Sequence, residues 1–154
     1  MFVLVDSGIL LRFLEPSDPQ HAAIRGAIRT LRSRGDTLVT AAQNLAEFWN
    51  VCTRPATARG GFGLSIADAD QRLRIIERLF GVLPDSLAAY RAWRGMLVAH
   101  AVQDVQVHDA RLVGLIQVDG IAHILTLNGG DFARYESIVP IHPTSLWLPP
   151  QATP

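Results

Sequence analysis

The sequence predicts an α/β fold: a parallel sheet of four or five strands between two layers of helices. Three observations carry this expectation. Short apolar runs alternate with longer segments of helical periodicity along the whole chain, cap and turn residues punctuate them, and the apolar runs are near-continuous, as in strands covered on both faces. At 154 residues and 49% hydrophobic content the chain suffices for one domain with a sizeable core and is short for two. The expected division is one globular unit over residues 1–147 and a proline-rich C-terminal tail over 148–154.

Met1 to Val5 is an apolar run that stops at Asp6 and Gly8, the pattern of a buried strand entering a turn. Ile9 to Leu14 follows as a short helix. Ser17, Asp18 and Pro19 supply a cap and an N1 proline for a second helix, whose Ile24, Ile28 and Leu31 share one face with Arg25, Arg29 and Arg32 on its flank. Thr37 to Val39 is a strand, and Thr40 with Gln43 has the spacing of a capping box that opens a helix running to Cys52. Pro55 to Leu64, with three glycines, is a loop. Ser65 with Asp68 repeats the box spacing and starts a helix carrying Ile66, Leu73, Ile76 and Phe80 at helical intervals. Val82 and Leu83 form a short strand, Ser86 to Val102 and His108 to Val118 two helices, and Ile121 to Leu127 another strand. Asn128 to Tyr135 reads as a short capped helix and Ile138 to Ile141 as the last strand.

Composition narrows the setting. The lone cysteine, Cys52, can form no internal disulfide and supplies no thiolate cluster, which fits a reducing cytoplasm. No basic leader precedes the first strand, and every long apolar stretch is interrupted by a polar residue, so no membrane association is expected. Fourteen acidic and fourteen basic residues balance, without the basic excess usual in nucleic-acid binders, yet all the basic residues are arginine, the side chain suited to bidentate phosphate contact. A GC-rich genome explains the arginine preference equally well.

Four acids fall where ligands bind in sheets of this kind, outside the carboxyl ends of the strands. Asp6 ends the first strand, Glu47 interrupts an apolar stretch on the helix after the second, Asp109 opens a late helix, and Asp131 follows the fourth strand. Carboxylates so gathered repel one another unless cations lie between them, and an all-oxygen set suits Mg²⁺ or Mn²⁺. Each acid also has a structural explanation: Asp6 as a helix cap, Asp109 as a first-turn acid, Asp131 as the N3 partner of Asn128, Glu47 as a partner of Arg54.

The blocks V-D-S at Val5 to Ser7, N-L-A-E-F at Asn44 to Phe48, V-H-D-A-R-L at Val107 to Leu112 and T-L-N-G-G-D-F at Thr126 to Phe132 resemble, in order and spacing, a PIN domain of the VapC toxin type. The resemblance implies that residues 1–147 are a three-layer α/β/α nuclease domain in which Asp6, Glu47, Asp109 and Asp131, with Asn128, hold Mg²⁺ or Mn²⁺. It implies Ser7 and Thr126 hydroxyls beside the substrate. Many relatives carry aspartate where this chain has Asn128, which removes a formal charge from the place of a second ion. Arg12, Arg54 and Arg59 are candidates for steering the phosphate backbone, and His108 for a general base or a hydrogen-bonding role. The implied activity is metal-dependent endoribonuclease cleavage by metal-activated water, as the toxin of a toxin–antitoxin module. The implied partners are an RNA substrate, a cognate antitoxin and a second copy of the chain, to which the apolar residues Ile66, Leu73, Ile76 and Phe80 also point. The alternative is a PIN-fold RNA- or protein-binding module with little or no catalysis. A haloacid-dehalogenase-like phosphatase would need a second acid at Gly8, and a phospho-receiver domain a lysine that the chain lacks.

Overall fold

The computed structural model describes residues 1–147, so the proline-rich stretch 148–154, expected as a tail, lies outside the described residues. Five strands, β1 (Phe2–Val5), β2 (Thr37–Ala41), β3 (Gly81–Leu83), β4 (His123–Leu125) and β5 (Val139–Ile141), form one sheet in the order β3-β2-β1-β4-β5, every pair parallel. The first strand is therefore central. Six helices connect them: α1 (Ser7–Phe13), α2 (His21–Ser33), α3 (Ala42–Thr53), α4 (Ile66–Leu79), α5 (Leu87–Ala99) and α6 (Gln106–Val118).

Handedness explains the layering. Crossovers between parallel strands are right-handed, so the steps β1 to β2 to β3 leave α1–α4 on one face, and the reversed step β3 to β4 leaves α5 and α6 on the other. Burial agrees residue by residue. Val3, Val5, Leu38 and Leu125 pack with Ile9, Ile24, Leu31, Phe48, Ile76 and Phe80, whereas Leu4, Val39 and Ile124 pack with Met96, Val113, Ile116 and Phe132. The strand order reverses between β1 and β4, and that switch point opens a crevice at their carboxyl ends. The edge strands β3 and β5 are largely exposed, and Pro140 is tolerated in β5 because an edge strand has no outer neighbour to receive its missing N–H.

Several local expectations give way to tertiary contacts. Ser65 does cap α4, its Oγ accepting from Asp68 N–H at 3.1 Å, and Asp68 Oδ2 accepts from the Ser65 hydroxyl at 2.6 Å rather than from its backbone N–H. Thr40 and Gln43 do not cap α3, whose N-cap is Ala41. The N-cap of α2 is Gln20, with Asp18 Oδ1 instead accepting the Gln20 N–H at 2.8 Å. Asn128 to Tyr135 contains only a 3-10 turn over Gly129–Phe132, and Asn128 makes no side-chain cap bond to it. The periodic residues of α4 serve this chain's own core: Ile76 and Phe80 are buried and Leu73 packs against them, so only Ile66, 65% exposed, remains outside. Their spacing therefore gives no evidence of self-association.

The loop from Pro55 to Leu64 is pinned rather than free. Phe62, Leu64 and Gly63 N–H groups donate to the Val51, Cys52 and Arg54 carbonyls at 2.8–3.0 Å, satisfying the end of α3. Gly61 is required there, because a Cβ would lie 2.3 Å from the Pro55 carbonyl oxygen. Among the described residues no helix is long and apolar enough to cross a membrane.

Candidate active site

Asp6 and Thr126 are the first residues beyond two adjacent central strands. Asp6 N–H extends the ladder by donating to Leu125 O at 3.1 Å, and Thr126 N–H does the same to Ile141 O at 3.1 Å. Register therefore puts the two side chains together, and Thr126 Oγ1 donates to Asp6 Oδ2 at 2.8 Å. Asp6 Oδ1 accepts the Ser7 N–H at 2.7 Å and so also caps α1. The structural role and the site role thus coexist in one carboxylate.

Glu47 is brought to the same place by α3. That helix is anchored at the end of β1, where the Val5 carbonyl accepts from Asn44 Nδ2 at 3.0 Å and from Thr40 Oγ1 at 3.1 Å, both side chains being fully buried. One turn further on, Glu47 Oε2 accepts from Ser7 Oγ at 2.7 Å and Oε1 from Gln43 Nε2 at 3.1 Å. Gln43 Nε2 also donates to the His108 carbonyl at 3.0 Å, which ties α3 to the first turn of α6, where Asp109 stands. Glu47 is not paired with Arg54.

Electrostatics place the four acids in one field. Asp109 is pushed up to about 6, first by burial, then by the charges of Asp131, Asp6 and Glu47, with His108 drawing it back. Asp6 is also raised, mainly by burial, against the lowering effect of the Thr126 hydroxyl and the Ser7 N–H. Asp131 and Asn128 are exposed at the 3-10 turn after β4, and Asn128 N–H donates to Thr126 Oγ1 at 3.1 Å. As arranged, no three acidic, histidine or cysteine side chains among the described residues are drawn tightly around one point. Ser7, Thr126 and Gln43 instead occupy the oxygens of Asp6 and Glu47. The donor set nonetheless fits a hard dication in kind, being all oxygen and carrying negative charge that adds to burial in raising Asp109.

The arginines stand apart from the acids. Arg12 donates to Gly8 O at 3.1 Å and pairs with Asp18 at 3.3 Å, and Arg54 donates to Arg59 O at 2.9 Å within the pinned loop. Arg59 is exposed. Among the described residues none of the three bonds to a site carboxylate. Sequence reasoning gives Thr40 and Gln43 a capping role and meets Asn44 only as the first residue of the N-L-A-E-F block, without the part the three play in anchoring the site. The signal for Gln43 was available, since it lies one helical turn before Glu47 and so on the same face; nothing local marks the partners of Asn44 and Thr40.

The comparisons with known proteins agree with this architecture. Among curated proteins none matches the chain in sequence. A solved complex of VapBC2 from Rickettsia felis, bound to a DNA fragment from its promoter, superimposes with a TM-score of 0.67 at 12% identity, covering 92% of this chain and 98% of that one. VapBC-1 from nontypeable Haemophilus influenzae gives 0.67 at 14% identity over 94% and 99% of the two chains. Mycobacterium tuberculosis VapC20, a toxin that cleaves the sarcin-ricin loop, gives 0.63 at 17% identity over 86% and 95%. At these identities the likeness is one of fold. The model of the PIN domain family matches residues 3–137, nearly the whole sheet and all the acids of the site, and the chain belongs to that family.

Proposed function

We propose that this protein is a Mg²⁺- or Mn²⁺-dependent endoribonuclease, the toxin of a toxin–antitoxin pair. What carries the proposal is that Asp109, at the switch-point crevice, is pushed up to about 6 by burial first and then by the charges of Asp131, Asp6 and Glu47. Asp6, Glu47 and Asp109 would hold the ion, and Asp131 with Asn128 would complete its surroundings. When bound, a divalent ion supplies a more acidic water and neutralises charge gathering on the phosphate. Thr126 and Ser7 keep Asp6 and Glu47 oriented through their hydroxyls. Gln43 fixes the distance between the helices that carry Glu47 and Asp109. Arg59, exposed on the loop, is the arginine of the three whose described contacts leave it to meet the phosphate backbone.

The antitoxin partner is supported by neighbours solved as VapBC and other toxin–antitoxin complexes. Self-association is proposed through the end of α5 and the start of α6, where Val98 and Val105 are 76% and 70% exposed. Light scattering of the isolated chain should give twice its mass, and a monomer at working concentration would remove that part.

The test of the activity is cleavage of a hairpin RNA by the purified chain with Mg²⁺ or Mn²⁺ and with excess EDTA. Cleavage only with the ion is expected, and full activity in EDTA would overturn the metal dependence. A folded chain that binds RNA without cutting it under any ion would instead identify a binding module. Thr126→Val offers a finer check. It removes the donor to Asp6 Oδ2, so the carboxyl should rise further and Mn²⁺ affinity, read by titration, should fall about 10-fold.

A further inference from the structure

A cavity of about 430 Å³ adjoins the acid site through Gln43 and His108. Gln43, Tyr90, Trp93, His108, Arg111 and Leu112 are among the residues that line it. Its volume falls within the range of small-ligand pockets. Two of its residues belong equally to the acid site: Gln43, which holds Glu47, and His108, the neighbour of Asp109.

The lining has the chemistry of a flat, heteroaromatic guest. Tyr90 and Trp93 stand with ring centroids 5.8 Å apart at 50°, and Tyr90 is 55% exposed, leaving ring surface open for stacking. Trp93 is held in place by its indole N–H, which donates to Val107 O at 3.0 Å, and by close packing of its backbone on Gly114. Arg111 and Asp85 form a pair at 3.1 Å, both exposed and both on the lining, so donor and acceptor are presented side by side. Gln43 is only 8% exposed, yet its Oε1 has no hydrogen-bond partner, an unmet demand for an N–H donor at the wall nearest the acids.

We propose that this cavity receives a nucleobase of the RNA strand, one flanking the phosphate cut at the acids, stacked on Tyr90 and Trp93. The inference rests on the ribonuclease reading. It also adds to that reading. A chain of zero net charge has no broad basic excess to attract phosphate, so base contacts would add to what Arg59 and a bound ion supply. An unstacked base offers both a π face and an edge of N–H donors and acceptors, which is what this lining complements.

The test uses the full chain and two readouts. In the first, nucleoside 5′-monophosphates are titrated without divalent ions while the Trp93 indole resonance is followed by NMR, with ribose 5-phosphate as control. Nucleotides should shift the signal saturably, the control should not, and Tyr90→Ala should weaken binding about 10-fold. In the second, RNAs varied at each position around the cut are compared. The wild type should prefer one base at one position by about 10-fold, and Tyr90→Ala or Arg111→Ala should flatten that preference to within about twofold. An unmoved Trp93 signal at millimolar nucleotide, an equal response to ribose 5-phosphate, or an unchanged preference in Tyr90→Ala would overturn the base site. A wild type that cuts no RNA would sink the nuclease reading instead, and the nucleotide titration would still decide the cavity.

Discussion

Asp109→Asn is expected to lower ion-dependent RNA cleavage by roughly 100- to 1000-fold, the scale on which loss of a single charge-stabilising group is felt. The same substitution should stabilise the ion-free protein at neutral pH. Asp109 in the folded chain is raised to about 6 from the 3.8 of an unperturbed aspartate. Between these values the folded state binds more protons than the unfolded one, so stability falls as pH rises from about 4 to 6 and stays low above that. The penalty is full at about pH 7.5 and absent near pH 3. The amide of the Asp109→Asn variant does not ionise and escapes it. After allowance for the half-exposed position the gain is about 1 kcal/mol, or roughly 3 °C in Tm at neutral pH, vanishing in acid. Adding Mn²⁺ should reverse the order, because only the wild type recovers binding energy. Melting curves of both proteins at two pH values, with and without the ion, give the whole pattern. A variant that cuts RNA at the wild-type rate would remove the ion mechanism, and one that melts below the wild type without ion at neutral pH would remove the electrostatic account of the crevice.

Phe48→Ala should be the costliest single truncation, at about 3–5 kcal/mol. Phe48 is fully buried where α3 meets the α1–α4 side of the sheet, beside Ile9, Cys52 and Ile76 in the same core. The deletion leaves a void that the parallel sheet and two neighbouring helices cannot close. Denaturant melts should show a lower midpoint with an unchanged slope. A loss below about 1 kcal/mol would mean that α3 is not docked as described, and with it the placement of Glu47.

Much of the layout was legible because it is carried by local signals of known period. Buried strands read as apolar runs, and an acid directly after such a run, as at Asp6, must lie at the strand's carboxyl end. The Ser65 cap of α4 was legible because Ser65 and Asp68 belong to the same exposed turn. Thr40 and Gln43 have the equivalent spacing and failed because stronger partners arrive from elsewhere: the Val5 carbonyl claims Thr40, and Glu47 with the His108 carbonyl claims Gln43. Asn128 and Asp131 miss their cap for a related reason, since the chain there makes only a single 3-10 turn. The Ile66–Phe80 stripe shows the other limit. Periodicity identifies an apolar face but not what covers it, and here Ile76 and Phe80 are covered by the chain's own core. The cavity beside Trp93 had no signature, because its walls come from three separate segments.

The bond between Thr126 and Asp6 joins residues 120 positions apart, across the two strands at the centre of the sheet. Contacts of such separation form late, after the intervening loop entropy has been overcome. A ribosome adds about 5–20 residues per second, so for a second or more the emerging chain already carries Asp6, Glu47 and Asp109 while β4 and Thr126 are still unmade. The crevice is bounded by β1 and β4 together, and the half-made chain has only one of its walls. On the ribonuclease reading proposed above, this order of assembly would be a safeguard in time: Asp6, Glu47 and Asp109 are synthesised before the strand that completes their crevice.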